Sequence, residues 1–183
     1  MVFRHSRDVR QAAPAQPPRP AGIAVRIFTP DYVLGGYVAP TGQAFLGWLN
    51  NVNQRAIVLT RAQAMGLSPD SAVQSFSPSE VTLPKRRIVA LDLMDPAARR
   101  TIQLAPRRVP AALYAGGFIF RANLHPTGEM QVAHLFNVMG GTFFSVSEAR
   151  IGSAVPIRDF GPAEAEILLI NQQWVDFFHA LPA

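Results

Sequence analysis

Cysteine is absent from the 183 residues, and charged side chains are few, at 16% of the chain. The missing cysteines exclude disulfides, thiolate chemistry and cysteine-ligated metal sites. Average soluble domains carry about 25% charged residues, so this chain has little charge with which to coat its surface. Hydrophobic residues make up 49%. We therefore expect apolar surface that protein partners cover, in a homo-oligomer or a multi-subunit assembly.

The motifs of common enzyme classes are also missing. The sequence contains no G-x-S-x-G elbow, no G-x-x-x-x-G-K-[ST] loop and no G-x-G-x-x-G turn. His125 and His134 lie nine residues apart, without the H-x₃-H or H-E-x-x-H spacing of metal sites. We expect His125 at the surface and His134 packed where Trp48 lies in the first half. The sequence thus predicts a protein that is not an enzyme, with no catalytic residues, metal site or cofactor.

Long apolar segments are missing as well. The longest uncharged run, 130–147, contains a histidine, an asparagine and a glycine pair, which makes it a poor membrane span. The apolar run 109–120 is shorter than the roughly 20 residues that a spanning helix needs. Residues 1–20 are basic but include no apolar stretch typical of a secretory signal. We expect no membrane span and a cytoplasmic location.

What is present indicates a mainly β protein. Residues 1–21, rich in proline, alanine and glutamine, favour a disordered tail. Beyond them, Ile23, Val25 and Ile27 alternate with other residues in the manner of a strand. Further apolar segments bounded by proline, glycine and aspartate predict strands at 87–94 and 166–171.

The two halves of the chain share an order of motifs. Pro40-Thr41-Gly42 recurs 86 residues later as Pro126-Thr127-Gly128, and Leu49 and the following Asn51-Val52 recur at the same offset. A duplication predicts two units, at 22–95 and 111–183, separated by a basic linker at 96–110. The alternative is one larger β domain with two unrelated Pro-Thr-Gly turns. Each unit would hold about five strands and a short helical segment, the content of a small SH3-like or Sm-like barrel.

The first unit resembles a family of small bacterial barrel domains of unknown function. The stretches that carry the resemblance are V-R-I-F-T-P-D-Y-V-L-G-G-Y-V at 25–38, F-L-G-W-L-N at 45–50 and A-I-V-L-T-R-A at 56–62. The resemblance covers about 70 residues and extends only loosely to the second unit. It implies an SH3-like or Sm-like barrel, present as two tandem copies, and it implies no catalytic residues.

Basic residues are concentrated in the middle of the chain. Residues 85–108 carry one lysine and six arginines against two aspartates: Lys85, Arg86, Arg87, Arg99, Arg100, Arg107 and Arg108 are the candidate contacts to phosphates or to an acidic partner. Aromatic residues that would stack on bases are not interleaved with them. Our leading hypothesis is a non-enzymatic structural or interaction protein that self-assembles or serves as an accessory subunit. The alternative is a nucleic-acid-binding small barrel that uses this basic centre.

Overall fold

The computed structural model describes residues 21–42, 44–68, 73–138, 140–153 and 163–182. The predicted tail at 1–21 therefore lies outside the described residues, apart from its last position. Strands dominate, so the mainly β prediction is confirmed.

The described residues contain eleven strands, which follow one another along the chain in two sets. The first strand set comprises β1 (Ile23–Phe28), β2 (Tyr32–Val38), β3 (Ala56–Gly66), β4 (Ser75–Phe76), β5 (Glu80–Pro84) and β6 (Ala90–Leu93). The second strand set comprises β7 (Val109–Ala115), β8 (Phe118–Leu124), β9 (Phe143–Ser153), β10 (Glu164–Asn171) and β11 (Val175–Ala180).

Helices are short and lie between the strands. They are α1 (Phe45–Leu49), α2 (Pro96–Arg99), α3 (Leu135–Val138) and 3-10 turns at Lys85–Arg87, Val132–His134 and Gln172–Trp174. The stretch predicted as a basic linker, 96–110, thus begins with α2 and ends in β7. Asp95 caps α2 by accepting hydrogen bonds from the N–H groups of Ala97 and Ala98, and Pro96 occupies the first helical position.

All described pairings are antiparallel and join the strands into one open sheet. Its order is β11-β7-β8-β9-β10-β6-β1-β2-β3-β4, with β5 also paired to β3. Within the first set the order is β6-β1-β2-β3-β5, and within the second it is β11-β7-β8-β9-β10. In each set the last strand therefore pairs with the first. The first, second and third strands then follow in order across the sheet, and a later strand pairs with the third. These pairings describe one open sheet and do not show two closed barrels. The arrangement as two tandem SH3-like or Sm-like barrels stays a prediction.

The long third strand of each set bends at one residue. Arg61 in β3 and Glu148 in β9 adopt positive φ angles, 49° and 53°. The partner strand of each loses register at the same level, between Gly35 and Tyr37 in β2 and between Arg121 and Asn123 in β8. Such bulges increase the local bend and twist of a strand. Both 11-residue strands therefore bend at matching points.

The core divides into two clusters that meet along the sheet. One is centred on the first set and includes Phe45 and Trp48 of α1, both buried. The other is centred on the second set and includes Phe28 of β1 and Phe120 of β8. Since residues of both sets enter both clusters, the sets pack as one body.

Candidate functional site

The most distinctive place in the sheet is the junction at which β6 of the first set pairs with β10 of the second. Leu91 lies opposite Leu169, Ala90 opposite Ile170 and Asp92 opposite Leu168. All of these residues are buried, and the three leucines and the isoleucine have no exposed surface. The junction therefore joins the last strand of one set to the penultimate strand of the other through apolar side chains.

Backbone and side-chain hydrogen bonds reinforce this junction. The Asn171 amide N–H donates to the carbonyl of Val89 at 3.0 Å, and its side-chain Nδ2 donates to the carbonyl of Ile88 at 2.9 Å. Trp174 Nε1 donates to the carbonyl of Arg86 at 2.9 Å. The end of β10 is thereby fixed against the 3-10 turn that precedes β6, with its buried polar groups satisfied.

A second link between the strand sets lies beside α1. Asn50 Nδ2 donates to the carbonyl of Phe143 at 2.9 Å, and the Phe143 N–H donates to Asn50 Oδ1 at 2.7 Å. A Cβ atom at Gly141 would lie 2.5 Å from Asn50 Nδ2. A residue larger than glycine at 141 would therefore displace the asparagine, which explains the second glycine of the Gly140-Gly141 pair.

The Asn50 link predicts a stability effect. Asn50→Ala should lower the free energy of unfolding by about 1–3 kcal/mol, because it leaves the N–H and carbonyl of buried Phe143 without these partners. The measurement is the midpoint of urea unfolding. Asn123→Ala is the matched control, since Asn123 donates to Glu148 at an exposed site. An Asn50→Ala midpoint equal to that of the control would contradict the role of the link.

A buried ion pair lies next to the junction. Arg26 Nη2 donates to Asp92 Oδ2 at 2.8 Å, with side-chain exposures of 8% and 4%, and also to the Glu164 carbonyl at 3.1 Å. Burial raises the pKa of the Asp92 carboxyl above its ordinary value, and the attraction of Arg26 offsets only part of that rise. The pair connects β1, β6 and the start of β10, three strands that meet at the junction.

Two strands, β11 and β5, each pair on one side only among the described residues. By their pairing, β11 occupies in the second set the place that β6 occupies in the first. Leu91 of β6 lies opposite Ile27 in the first strand of its set, and Phe178 of β11 lies opposite Leu113 in the first strand of the other set. In the part of the chain that the structure describes, β11 pairs with β7 alone. We call this outer side of β11 the trailing edge.

At the other end of the sheet, β5 takes the place that β10 takes in the second set. Leu83 lies opposite Ile57 of β3, as Ile170 lies opposite Phe144 of β9. Within the described residues β5 pairs with β3 alone. We call its outer side the leading edge.

Apolar side chains are exposed at the trailing edge and on the strand next to the leading edge. Phe177 is 59% exposed on β11 and stacks on Tyr114 at 4.3 Å between ring centroids. Val58 on β3, beside β5, is 43% exposed. Of the aromatic residues suggested as core or interface, Phe45 and Trp48 are buried, while Trp174 and Phe178 are half-buried. Of these five aromatic residues, Phe177 alone has a mainly exposed side chain.

The basic centre is largely occupied by contacts within the chain. Three of its arginines pair with carboxylates: Arg87 with Asp31 at 2.6 Å, Arg99 with Glu166 at 2.6 Å and Arg108 with Glu148 at 2.7 Å. Arg107 donates to the carbonyls of Gly128 and Met130. Arg86 and Arg100 belong to none of the ion pairs among the described residues. The seven residues therefore do not converge on a single site, and the Arg99 pair itself spans the junction.

Lys85 differs from the rest of the basic centre because its side chain is buried. Its Nζ donates to the carbonyls of Asn51 at 3.1 Å and Trp48 at 3.4 Å, at the end of α1. It also lies 5.9 Å from the centre of the Trp48 ring. Burial lowers the pKa of this amine below its ordinary value.

The histidines occupy unrelated positions. His125 is half-buried, with Nδ1 2.7 Å from the carbonyl of Ala105 and Nε2 2.8 Å from the Ser147 hydroxyl. His134 is exposed, so the expectation that it packs as Trp48 does was wrong. It lies in a 3-10 turn, whereas Trp48 belongs to α1 and faces the core. Among the described residues no cluster of three or more histidine, aspartate or glutamate side chains has the arrangement of a metal site.

Comparison of the chain with protein-family models, with curated proteins and with solved structures gave no match. None of the helices in the described parts of the chain has the length and hydropathy needed to cross a membrane.

Proposed function

We propose that this protein is a non-enzymatic structural protein whose copies assemble head to tail through the trailing and leading edges. In this proposal each strand set is a small SH3-like or Sm-like unit, and the chain contains two of them in tandem. One observation carries the proposal. The β6–β10 junction joins the two strand sets within the chain, and the strands that would repeat that junction between chains have no partner on their outer edges within the described residues.

The internal junction supplies a register for the contact between copies. Ala90, Leu91 and Asp92 of β6 correspond to Phe177, Phe178 and His179 of β11, because each trio pairs with the first strand of its set in the same way. By the same comparison, Ile170, Leu169 and Leu168 of β10 correspond to Leu83, Thr82 and Val81 of β5. The proposed pairs are Phe177 with Leu83, Phe178 with Thr82 and His179 with Val81 of the next copy.

The backbone groups at both edges suit this register. Lys85 N–H donates to the carbonyl of Arg55, the residue before β3, so strand alternation turns the N–H of Thr82 toward the leading edge. Leu181 N–H donates to the carbonyl of Pro110 in β7, and strand alternation then turns the N–H of Phe178 toward the trailing edge. Unpaired strand edges readily add another strand, and here both partners present one.

The contact is heterologous, because the two edges belong to different strands. A heterologous contact generates a closed ring or an open filament, according to the rotation between successive copies. Burial of Phe177 and its neighbours in that contact accounts for part of the apolar surface in a chain with only 16% charged residues. Nucleic-acid binding by the basic centre has less support, because Arg87, Arg99 and Arg108 are already paired with carboxylates.

A proline at the leading edge tests the proposal. The purified wild-type chain should elute from gel filtration as a multiple of its 19.9 kDa mass, free of nucleic acid by its absorbance ratio at 260 and 280 nm. Thr82 is exposed, and Thr82→Pro removes the backbone N–H that faces the leading edge. We therefore expect light scattering to give the monomer mass for this variant. Thr82→Val keeps the N–H and should retain the assembly. A monomeric wild-type protein would overturn the proposal.

A further inference from the structure

A cleft between the two strand sets has a cationic lining. It has a volume of about 580 Å³ and lies where the segment after α1, the turn after β5 and the start of β9 meet. Its polar lining consists of Asn50, Asn51, Gln54, Arg55, Lys85, Arg86, Thr142 and Gln173. Leu49, Val52 and Phe143 contribute apolar surface. The size falls within the range of sites for small ligands, about 300–1,000 Å³.

The charges of the lining are all of one sign. Three cationic residues, Arg55, Lys85 and Arg86, face the cleft, and no aspartate or glutamate belongs to the lining. Neither Arg55 nor Arg86 takes part in an ion pair among the described residues. Other arginines do have carboxylate partners, namely Arg26, Arg87, Arg99, Arg108 and Arg150. Arg61, Arg100, Arg107 and Arg121 also have no carboxylate partner among the described residues, but they lie outside this lining. The cleft is therefore distinguished by bringing three such cations together.

Lys85 adds a buried charge to this lining. Its ammonium has carbonyl partners, at Asn51 and Trp48, but no carboxylate contact in the described part of the chain. A buried ammonium without a counter-ion is costly, and an anion in the cleft would reduce that cost. Guanidinium groups on the rim provide the fork geometry that matches phosphate oxygens.

We propose that this cleft binds the phosphate group of a small phosphorylated molecule of about nucleoside monophosphate size. The side chains of Asn51 and Gln54 and the apolar surface of Leu49 and Val52 provide contacts for the organic part. A nucleic-acid backbone fits less well, because the adjacent Arg87 is paired with Asp31 and provides no further free cation beside the cleft. The inference does not depend on head-to-tail assembly.

Calorimetric titration tests the proposal with AMP, inorganic phosphate, adenosine and a short uridine oligonucleotide without a terminal phosphate. AMP and phosphate should bind, and adenosine should not. Arg55→Gln combined with Arg86→Gln should weaken AMP binding by about tenfold or more, because both altered side chains are exposed and charged. Arg121→Gln, another exposed arginine, is the matched control and should leave the affinity unchanged.

The single lysine provides a second readout. Lys85 is the only lysine in the chain, so acetylation by an amine-reactive reagent reports its accessibility at one site. AMP should slow acetylation of Lys85 several-fold and leave the amino terminus unaffected. AMP should slow acetylation of Lys85 to the same extent in the Thr82→Pro variant. That result would show that the cleft binds AMP independently of the contact between copies. Absence of AMP and phosphate binding, or binding of the oligonucleotide alone, would overturn the proposal.

Discussion

Replacing Arg26 with methionine is expected to lower the free energy of unfolding by about 3–5 kcal/mol, because the substitution leaves the Asp92 carboxylate buried without its partner. Arg26 donates to Asp92 and to the Glu164 carbonyl, so its loss affects the junction as well as β1. The measurement is urea unfolding at one fixed protein concentration, since assembly makes stability depend on concentration. Adding Asp92→Leu to Arg26→Met should restore most of the lost stability.

The control for this prediction is an exposed ion pair. Arg87 and Asp31 lie 2.6 Å apart with side-chain exposures of 47% and 59%. Arg87→Met should therefore cost no more than about 1 kcal/mol. If Arg26→Met destabilises the protein no more than Arg87→Met does, the importance assigned to the buried pair is wrong.

The cost of Arg26→Met should also depend on pH. The folded-state pKa of Asp92 is raised above its ordinary value of 3.8, and loss of Arg26 removes an attraction that lowers it. The folded state therefore favours the protonated carboxyl. The stabilisation that comes from proton binding by Asp92 is fully present below its ordinary pKa. It is lost as the pH rises through the raised folded-state pKa. The difference between Arg26→Met and the wild type should thus be largest at neutral pH and shrink toward pH 4.

Much of the strand content could be predicted from the sequence, because alternating and apolar segments report local burial. The Ile23, Val25, Ile27 pattern coincides with β1, and the segment predicted at 166–171 lies within β10. The strand predicted at 87–94 is shorter, since Lys85–Arg87 form a 3-10 turn before β6. The pairing of β6 with β10 could not be predicted. It joins segments nearly 80 residues apart, and no local pattern encodes such a contact.

The candidate site was harder to predict, because the partners of its charges are distant in sequence. Arg87, Arg99 and Arg108 are adjacent to other basic residues along the chain, which favoured a shared role. Their carboxylate partners come from a turn after β1, from β10 and from β9. The Arg26–Asp92 pair was missed, although a signal existed. Each of the two is a charged residue in the middle of an apolar strand, and their charges are opposite.

A disulfide between copies is the second large effect expected. The chain contains no cysteine, so cysteines introduced at His179 and Val81 are the only thiols present, and no native cysteine can compete for them. In the proposed register these two residues lie opposite each other as a non-hydrogen-bonded antiparallel pair. Their Cα atoms would be about 4.5 Å apart, within the range that disulfides span. Every chain carries both positions, so oxidation should link many copies.

The most direct test of head-to-tail assembly is therefore mild oxidation of the His179→Cys, Val81→Cys protein, followed by non-reducing electrophoresis. The matched control, Phe177→Cys with Val81→Cys, places the cysteines two residues out of register. The account predicts a ladder of species extending beyond the dimer for the first protein and little cross-linking for the second. A first protein that remains monomeric, or that cross-links no better than the control, would contradict pairing of β11 with β5.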